Sequence, residues 1–271
     1  MKATVLVDNI GNENTAGEWG LSFFIEYGGR KVLLDAGASG LFAENAQKLG
    51  ISLAETDYAV LSHAHYDHAD GMAEFFGQNT KAKLYLRESC KENCYKEEEG
   101  GWKYIGIRKG LLEKYADRII RVSGDLEIEK GMWLIPHKTA GMERAGEREH
   151  MYLRDDDSCA VDDFSHEQSL VFDTGDGLAV FNSCSHGGAD NIITEVSDTF
   201  PGKKVRLMAG GFHLYNKSEE YIRNFAEKVR ATGVEQVWTG HCTGEEAYQI
   251  LREELGGMVR QLKSGAEIHF G

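Results

Sequence analysis

Long apolar runs are absent from this chain of 271 residues, although 41% of its residues are hydrophobic. A membrane-spanning helix needs about 18 or more consecutive apolar residues, and no such run occurs, so no membrane partner is expected. The first segment, Met1–Asp8, is too short and too soon acidic for a signal peptide and fits a first strand better. We therefore expect a cytoplasmic globular protein.

Positive charge is also scarce, with 30 Lys and Arg residues against 44 Asp and Glu and a formal net charge of −14. Nucleic-acid binding depends on a basic surface that neutralises phosphates, so no nucleic-acid partner is expected. A small anionic substrate stays compatible with this balance, because bound divalent metals outweigh a distant negative surface within their own site.

Cysteines number five, an odd count in a chain that is not small, so a disulfide framework is not expected. Cys90 and Cys94 are spaced so that both would lie on one face of a helix. They could bind a metal or oxidise together. The favoured interpretation is two reduced thiols, because cysteines in the cytoplasm are normally kept reduced.

The segment 63–68 reads His-Ala-His-Tyr-Asp-His. Imidazole nitrogen and carboxylate oxygen are ligands for Zn²⁺ and its first-row neighbours. In an extended segment, positions i and i+2 point the same way, so His63 and His65 can bind one metal together. Asp67 and His68 come from the following turn and can face a second metal. Surface histidines are the alternative, but solubility alone does not explain three in so short a segment.

Two more histidines, His186 and His241, each follow an apolar strand directly. The histidine-rich segment has the same placement, since it follows the apolar run at 58–61. Ligands gather where the carboxyl ends of strands meet, so we predict that both histidines join the metal site. A hydrogen-bonded structural histidine is the alternative for each.

The segment 63–68 resembles the His-x-His-x-Asp-His signature of the metallo-β-lactamase superfamily. Residues 32–37, Val-Leu-Leu-Asp-Ala-Gly, resemble its second strand, and residues 238–241, Trp-Thr-Gly-His, its last metal motif. Further segments are similar to one subfamily, usually named after dihydropterin ribofuranosylaminobenzene phosphate synthase. They are residues 181–188, 210–214 and 239–244.

The resemblance implies an α/β layered fold, an αββα sandwich of two mixed sheets with outer helices. Strands and helices alternate in two similar halves without a low-complexity linker, so we expect a single domain over 1–271. Residues 87–118 are charged, and we expect them to be mostly helical. Residues 138–165 show little periodicity, and a long loop of this kind is usually functional or disordered. A mobile loop near the site is expected there, with a merely solvated loop as the alternative.

The chain departs from the superfamily pattern at one point. Most members supply an Asp that bridges two metals, and this chain has Ser-Cys-Ser-His at 183–186 in the matching place. Either His186 or Cys184 takes a ligand role there, or one metal is bound weakly. His166 is a further candidate for the usual third-motif histidine.

Three residues are predicted to bind substrate. His213 follows a Gly-Gly-Phe segment at a strand end, and Gly187 and Gly188 precede a predicted helix. Glycine lets the backbone approach a ligand, and a helix N-terminus favours anions. An ordinary turn is the alternative for the two glycines, and a metal ligand or a general acid is the alternative for His213.

These features predict a metal-dependent hydrolase for a small anionic, phosphorylated substrate. One or two Zn²⁺ ions are expected, with Mn²⁺ or Fe²⁺ as alternatives. Zinc lowers the pKa of bound water to about 7, and Asp67 would orient the resulting hydroxide. A transferase like the synthase that names the subfamily is the runner-up. An inactive metal-binding or sensing protein is the alternative of another class, but a purely structural metal needs neither Asp67 nor an open site.

Overall fold

The computed structural model describes residues 1–271, with eighteen strands. The strands are β1 (Lys2–Val7), β2 (Ser22–Tyr27), β3 (Arg30–Leu34), β4 (Tyr58–Val60), β5 (Lys83–Arg87), β6 (Cys94–Glu98), β7 (Gly101–Tyr104), β8 (Ile119–Val122), β9 (Leu126–Glu129), β10 (Met132–Pro136), β11 (Met151–Asp155), β12 (Ser158–Val161), β13 (Gln168–Asp173), β14 (Leu178–Phe181), β15 (Val205–Gly210), β16 (Gln236–Thr239), β17 (Val259–Gln261) and β18 (Glu267–His269).

Eight α-helices connect these strands. They are α1 (Leu41–Lys48), α2 (Tyr66–Ala69), α3 (Met72–Gln78), α4 (Leu111–Lys114), α5 (Glu143–Glu149), α6 (Ala189–Thr199), α7 (Glu219–Ala231) and α8 (Glu245–Leu255). The helix α6 begins directly after Gly187 and Gly188, where a helix is predicted. None of the helices is both long and apolar enough to span a membrane.

Two seven-stranded sheets repeat the same plan. The first has the order β18-β1-β2-β3-β4-β5-β8, and the second has the order β17-β16-β15-β14-β13-β10-β9. In each sheet three neighbouring pairs are antiparallel and three are parallel. The β2–β3 hairpin turns at Gly28 and Gly29, whose φ angles of 56° and 78° suit the tight turns of β-hairpins.

The hydrophobic core lies in three layers. The middle layer fills the space between the two sheets, where side chains such as Phe23 of β2 and Phe181 of β14 meet with ring centroids 5.4 Å apart. One outer layer packs α1 and α3 on the first sheet, and the other packs α6, α7 and α8 on the second. The αββα sandwich is therefore confirmed.

A third, four-stranded sheet has the order β12-β11-β6-β7. It corrects the prediction that 87–118 is mostly helical, because this segment contributes β6 and β7 and only the short α4. Cys90 and Cys94 do not share a helix face: Cys90 lies in a turn and Cys94 begins β6. High charge misled the prediction here, since one face of a small outer sheet is as solvent-exposed as a helix surface.

Residues 138–165 also contain regular structure where a loop is expected. They hold α5 and the β11–β12 hairpin, and β11 joins the third sheet through its pairing with β6. The mobility of this segment stays a prediction.

The carboxyl ends of the parallel strands from both sheets open toward one edge of the sandwich. Gly210 ends β15 there with a φ angle of 146°, a region that residues with a side chain rarely adopt. A Cβ atom on Gly210 would lie 1.7 Å from the carbonyl oxygen of Asn182. This close approach sets the path of the segment after β14, which carries Cys184 and His186.

We expect Gly210→Ala to lower the free energy of unfolding by about 3 kcal/mol, since it adds both backbone strain and a clash. Gly77→Ala is the matched control, because a Cβ there meets nothing within 4 Å and a helix interior gains up to about 1 kcal/mol from this change. Chemical denaturation of the three proteins measures both effects. Equal stability of Gly210→Ala and the parent protein would contradict the assigned close contact.

Candidate metal centre

Six metal-ligand side chains meet at the edge where the strands end. His63, His65, Asp67 and His68 follow β4, with the latter two in the short α2. The segment after β14 brings in His186, and the segment after β16 brings in His241. All six predicted ligands are buried, with relative exposures between 0% and 7%.

His63, His65 and His186 form a first group. One nitrogen of each lies within 4.8 Å of the others, and the ring centroids are 4.6 to 5.2 Å apart. Nε2 of His63, Nε2 of His65 and both nitrogens of His186 are buried without a hydrogen-bond partner. Buried polar atoms are rarely left unpaired, so three imidazoles with converging free nitrogens fit a divalent metal ion.

Asp67, His68 and His241 form a second group beside the first. Nε2 of His241 lies 3.3 Å from Oδ2 of Asp67 and 3.1 Å from Nε2 of His68. The distance from Nε2 of His68 to the same Asp67 oxygen is 3.9 Å. Two imidazoles and a carboxylate converging in this way are a fitting ligand set for a second divalent ion.

The carboxylate of Asp35 holds histidines of both groups. It accepts a hydrogen bond from Nδ1 of His68 at 2.8 Å and one from Oγ of Ser62 at 2.6 Å. That hydroxyl lies 2.8 Å from Nδ1 of His63 and accepts its proton. These partners place the imidazole protons on Nδ1, which leaves Nε2 of each ring free for a metal.

His241 is held in the same way from the first sheet. Its Nδ1 lies 3.1 Å from Oδ1 of Asn9, and its backbone N–H donates to Asp8 at 2.8 Å. The last metal-ligand position of the second sheet is therefore fixed by the residues that follow β1, so the site depends on contact between the two sheets.

Electrostatics keep the first group neutral and Asp67 charged. Burial and the surrounding imidazoles lower the pKa of His63 and His186 well below the usual range and that of His65 to about 3. Burial alone would raise the pKa of Asp67, but the neighbouring His68 and His241 rings outweigh it and hold the pKa below its usual range. Neutral imidazoles and an ionised carboxylate are the forms that bind metals.

A cavity of about 810 Å³ adjoins the first group. His186, His213, Gly187 and Gly188 form part of its wall, so the structure brings the three predicted substrate-binding residues together beside a predicted ligand. Its lining also includes two acidic residues, Asp190 and Glu227, and four basic side chains. The basic side chains are Arg144, Arg148, Lys217 and Lys228.

His213 is held by a carboxylate. Its Nε2 lies 3.3 Å from Oε2 of Glu149, a buried residue of α5 that also forms an ion pair with Lys217. The His213 ring lies 4.6 Å from the His186 ring between centroids. Its position fits contact with a molecule in the cavity, while its closeness to His186 keeps the alternative of a ligand open.

A second, smaller opening of about 240 Å³ reaches the second group directly. His65, Asp67 and His241 lie at its base. Trp19 and Tyr215 lie at its mouth, both 44% exposed. The third sheet lines the remaining wall with Lys96, Glu98, Lys103 and Met151.

His166 lies behind the first group, with both ring nitrogens occupied. Its Nδ1 accepts a hydrogen bond from the backbone N–H of Ala64 at 3.2 Å, and its Nε2 donates to Asp162 at 3.0 Å. Cys90 and Cys94 are buried, free thiols in contact with it. This arrangement suits the positioning of the segment between His63 and His65 better than a third-motif ligand role.

Several supporting residues are not singled out by the sequence reasoning. Asp8 and Asp35 directly follow buried strands, the same signal that identifies the histidines, and could have been found by it. His137 also directly follows a strand, β10, and is buried between Glu167 and Glu195, at 2.8 and 3.2 Å. Burial lowers its pKa, but the two carboxylates outweigh this and raise it to about 10.

The family model of the metallo-β-lactamase superfamily matches residues 20–146 of this chain. A solved structure described as a metal-dependent hydrolase of the β-lactamase superfamily superposes with a TM-score of 0.86 at 29% identity, covering 100% of this chain and 99% of the other. A diphosphatase of the PhnP family shares the fold, with a TM-score of 0.58 at 15% identity over 100% and 98% of the two chains.

A curated relative comes from Methanocaldococcus jannaschii. It is 7,8-dihydropterin-6-methyl-4-(β-D-ribofuranosyl)-aminobenzene-5′-phosphate synthase, 24% identical over 93% of this chain and 90% of the relative. Similarity to this synthase agrees with the subfamily resemblance of the sequence motifs.

We expect Asp35→Asn to weaken metal binding by about 10- to 100-fold, the usual effect of losing a partner that orients ligand histidines. Asparagine keeps the volume and tolerates the φ angle of 59° at this position, so the fold should persist. Competition with a chromophoric chelator measures the dissociation constant. Asp198→Asn, an exposed carboxylate on α6, is the control, and equal affinity of both variants would contradict the role of Asp35.

Proposed function

We propose that this protein is a metal-dependent hydrolase for a small anionic substrate that carries a phosphate group. The observation that carries the proposal is the pair of adjacent ligand groups with free, buried imidazole nitrogens beside a cavity with a basic lining. His63, His65 and His186 would hold one metal, and Asp67, His68 and His241 a second.

Zinc is the expected metal, in one or two sites, with Mn²⁺ or Fe²⁺ as alternatives. Such ions, when bound, act as Lewis acids and activate water at neutral pH. The chain itself contributes three things: fixed ligand geometry, a buried carboxylate at Asp67, and donors for the substrate. Oδ2 of Asp67 would accept a hydrogen bond from the attacking water and orient it toward the substrate.

Substrate binding would use the large cavity. Arg144 and Arg148 project from α5 toward the same space as the start of α6, where Gly187 and Gly188 lie. Backbone N–H groups at a helix start and cationic side chains both favour anions. His213 lines the cavity and would contact the anion or protonate the leaving group. Its Nε2 faces the Glu149 carboxylate, which would hold the ring in position.

A transferase is the second candidate, and similarity to the Methanocaldococcus synthase favours it. The two reactions differ in what attacks the substrate. In hydrolysis the attacking oxygen comes from water, whereas in transfer a second organic substrate attacks and no water oxygen enters the product.

A panel of p-nitrophenyl phosphate, bis(p-nitrophenyl) phosphate, a lactone and a thioester tests the proposal with zinc- and manganese-loaded protein. We expect p-nitrophenol release from a phosphoester, and heavy-oxygen water should label the phosphate product. If the protein hydrolysed only the neutral lactone, the proposed anionic substrate would be contradicted and the proposed hydrolytic activity would stand. No hydrolysis of any compound would contradict the hydrolase.

We expect Asp67→Asn to keep the fold and part of the metal but to lower kcat about 100-fold or more, in the range of a lost proton-transfer or orienting group. The change preserves shape and removes the charge. Asp70→Asn is the control, because Asp70 lies one turn away and accepts from the backbone N–H of Arg108 instead. Steady-state kinetics with metal analysis decide, and kcat within a few-fold of the parent would refute the role of Asp67.

We expect Arg144→Ala/Arg148→Ala to raise KM for a phosphorylated substrate about tenfold with metal content unchanged. Both side chains are exposed, so each charge contact is worth up to about 1 kcal/mol. The control is Lys48→Ala/Lys204→Ala, which removes the same charge from exposed positions outside the cavity. An equal rise of KM in both double variants would point to overall charge and away from this cavity.

A further inference from the structure

Cys184 and Cys242 lie side by side inside the candidate metal centre, and the proposed reaction uses neither. Both are buried, at 3% and 1% exposure. Their sulfur atoms are 3.5 Å apart, and Sγ of Cys184 lies 3.3 Å from Nε2 of His68. A buried cysteine that only fills space in the core does not need a histidine and a second cysteine as neighbours, so a chemical role would explain this position.

Cys184 lies between the two ligand groups. Its sulfur is within 4.8 Å of ligand atoms of His63 and His68, and also within that distance of His186 and of His241. The first of these sets combines one histidine from each group. The sulfur therefore lies between the two groups, in the space that both metals would share.

The distances match a metal coordination sphere. Tetrahedral bonds of about 2.0–2.3 Å to nitrogen, oxygen and sulfur give ligand–ligand separations of about 3.3–3.8 Å. The separations are 3.3 Å from Cys184 to His68 and 3.3 Å from Asp67 to His241. The sulfur is therefore placed relative to His68 as one ligand is to another.

We propose that the Cys184 thiolate is a metal ligand that joins the two groups, in place of the bridging Asp of the superfamily pattern. On metal binding the S–H bond of Cys184 would break, its proton would pass to solvent, and a sulfur–metal bond would form. This inference rests on the metal ligands of the proposed function but not on the hydrolytic activity.

Cys242 is a positioning residue in this arrangement. Its sulfur accepts a hydrogen bond from the backbone N–H of His213 at 3.3 Å and donates toward Cys184. A Cβ on Gly211 would lie 2.5 Å from the Cys242 sulfur, so glycine at 211 keeps this sulfur in place. The Cys242 thiol would stabilise the negative charge on Cys184.

A bridging thiolate also narrows the choice of metal. Thiolates are softer ligands than carboxylates and select zinc-like ions, whereas carboxylate-rich sites suit Mg²⁺ and Mn²⁺. The metal centre should therefore prefer Zn²⁺ or Co²⁺ over Mn²⁺ more strongly than a site with an Asp in this position.

Absorption spectroscopy of cobalt-loaded protein tests the proposal. Metal-free protein is loaded anaerobically with Co²⁺, and the near-ultraviolet thiolate-to-cobalt charge-transfer band is recorded with the visible cobalt bands. The parent protein should show both. Cys184→Ser should lose the charge-transfer band and keep visible bands from the histidine-bound cobalt. Cys242→Ser and the control Cys159→Ser, which changes an exposed free cysteine, should retain both.

Visible cobalt bands without a charge-transfer band in the parent protein would overturn the thiolate ligand and leave the proposed metal centre intact. A band that survives in Cys184→Ser and vanishes in Cys242→Ser would overturn the choice of Cys184. Failure to bind stoichiometric cobalt would overturn the metal centre and this inference together.

A measurement on the parent protein covers the case in which Cys184→Ser does not fold. X-ray absorption of the zinc-loaded protein should show a sulfur neighbour at about 2.3 Å from zinc. A first coordination shell of nitrogen and oxygen alone would overturn the proposal.

Discussion

Unpaired imidazole nitrogens in the interior are the constraint around which this structure is organised. Nε2 of His63 and of His65 and both nitrogens of His186 are buried without hydrogen-bond partners. Each such group costs about 1–3 kcal/mol, while a whole domain is stable by only about 5–15 kcal/mol. A metal present at a thousand times its dissociation constant would add about 4 kcal/mol to stability, so metal binding and folding should be strongly linked here.

Both halves of the fold are needed to hold those nitrogens in place. Asp35 at the end of β3 accepts from the backbone N–H of Ser62 at 2.7 Å as well as from Ser62 Oγ and His68, so one carboxylate ties the ligand segment to the first sheet. His241 belongs to the second sheet but takes its orientation from Asn9, which follows β1. The two sheets therefore cannot slide or separate without releasing a ligand, and the core between them acts directly on the site.

Sequence reasoning succeeds where local pattern and tertiary role coincide. Apolar runs predict most strands of both sheets but not β9 and β17, and the histidines that follow the predicted strands lie close together. It fails at 87–118, where the charged residues of β6 and its surroundings read as helix. It also fails at 138–165, whose β11–β12 hairpin joins a larger sheet only through the distant β6. The supporting role of His137 was equally hidden, because its two carboxylate partners, Glu167 and Glu195, are distant in sequence.

The segments that the sequence predicts and those that it does not predict contribute to different parts of the candidate site. The predicted metal ligands lie at the ends of strands that the sequence patterns predict, whereas much of the cavity wall comes from 138–165. This segment supplies Arg144 and Arg148 to the cavity and the Glu149 carboxylate to His213. Binding residues commonly lie on connections carried by a rigid scaffold, and one fold can serve many substrates when such connections change. The four basic residues in this cavity lining oppose the net charge of −14, so the proposed anionic substrate would meet a different electrostatic field within the cavity from that of the whole protein.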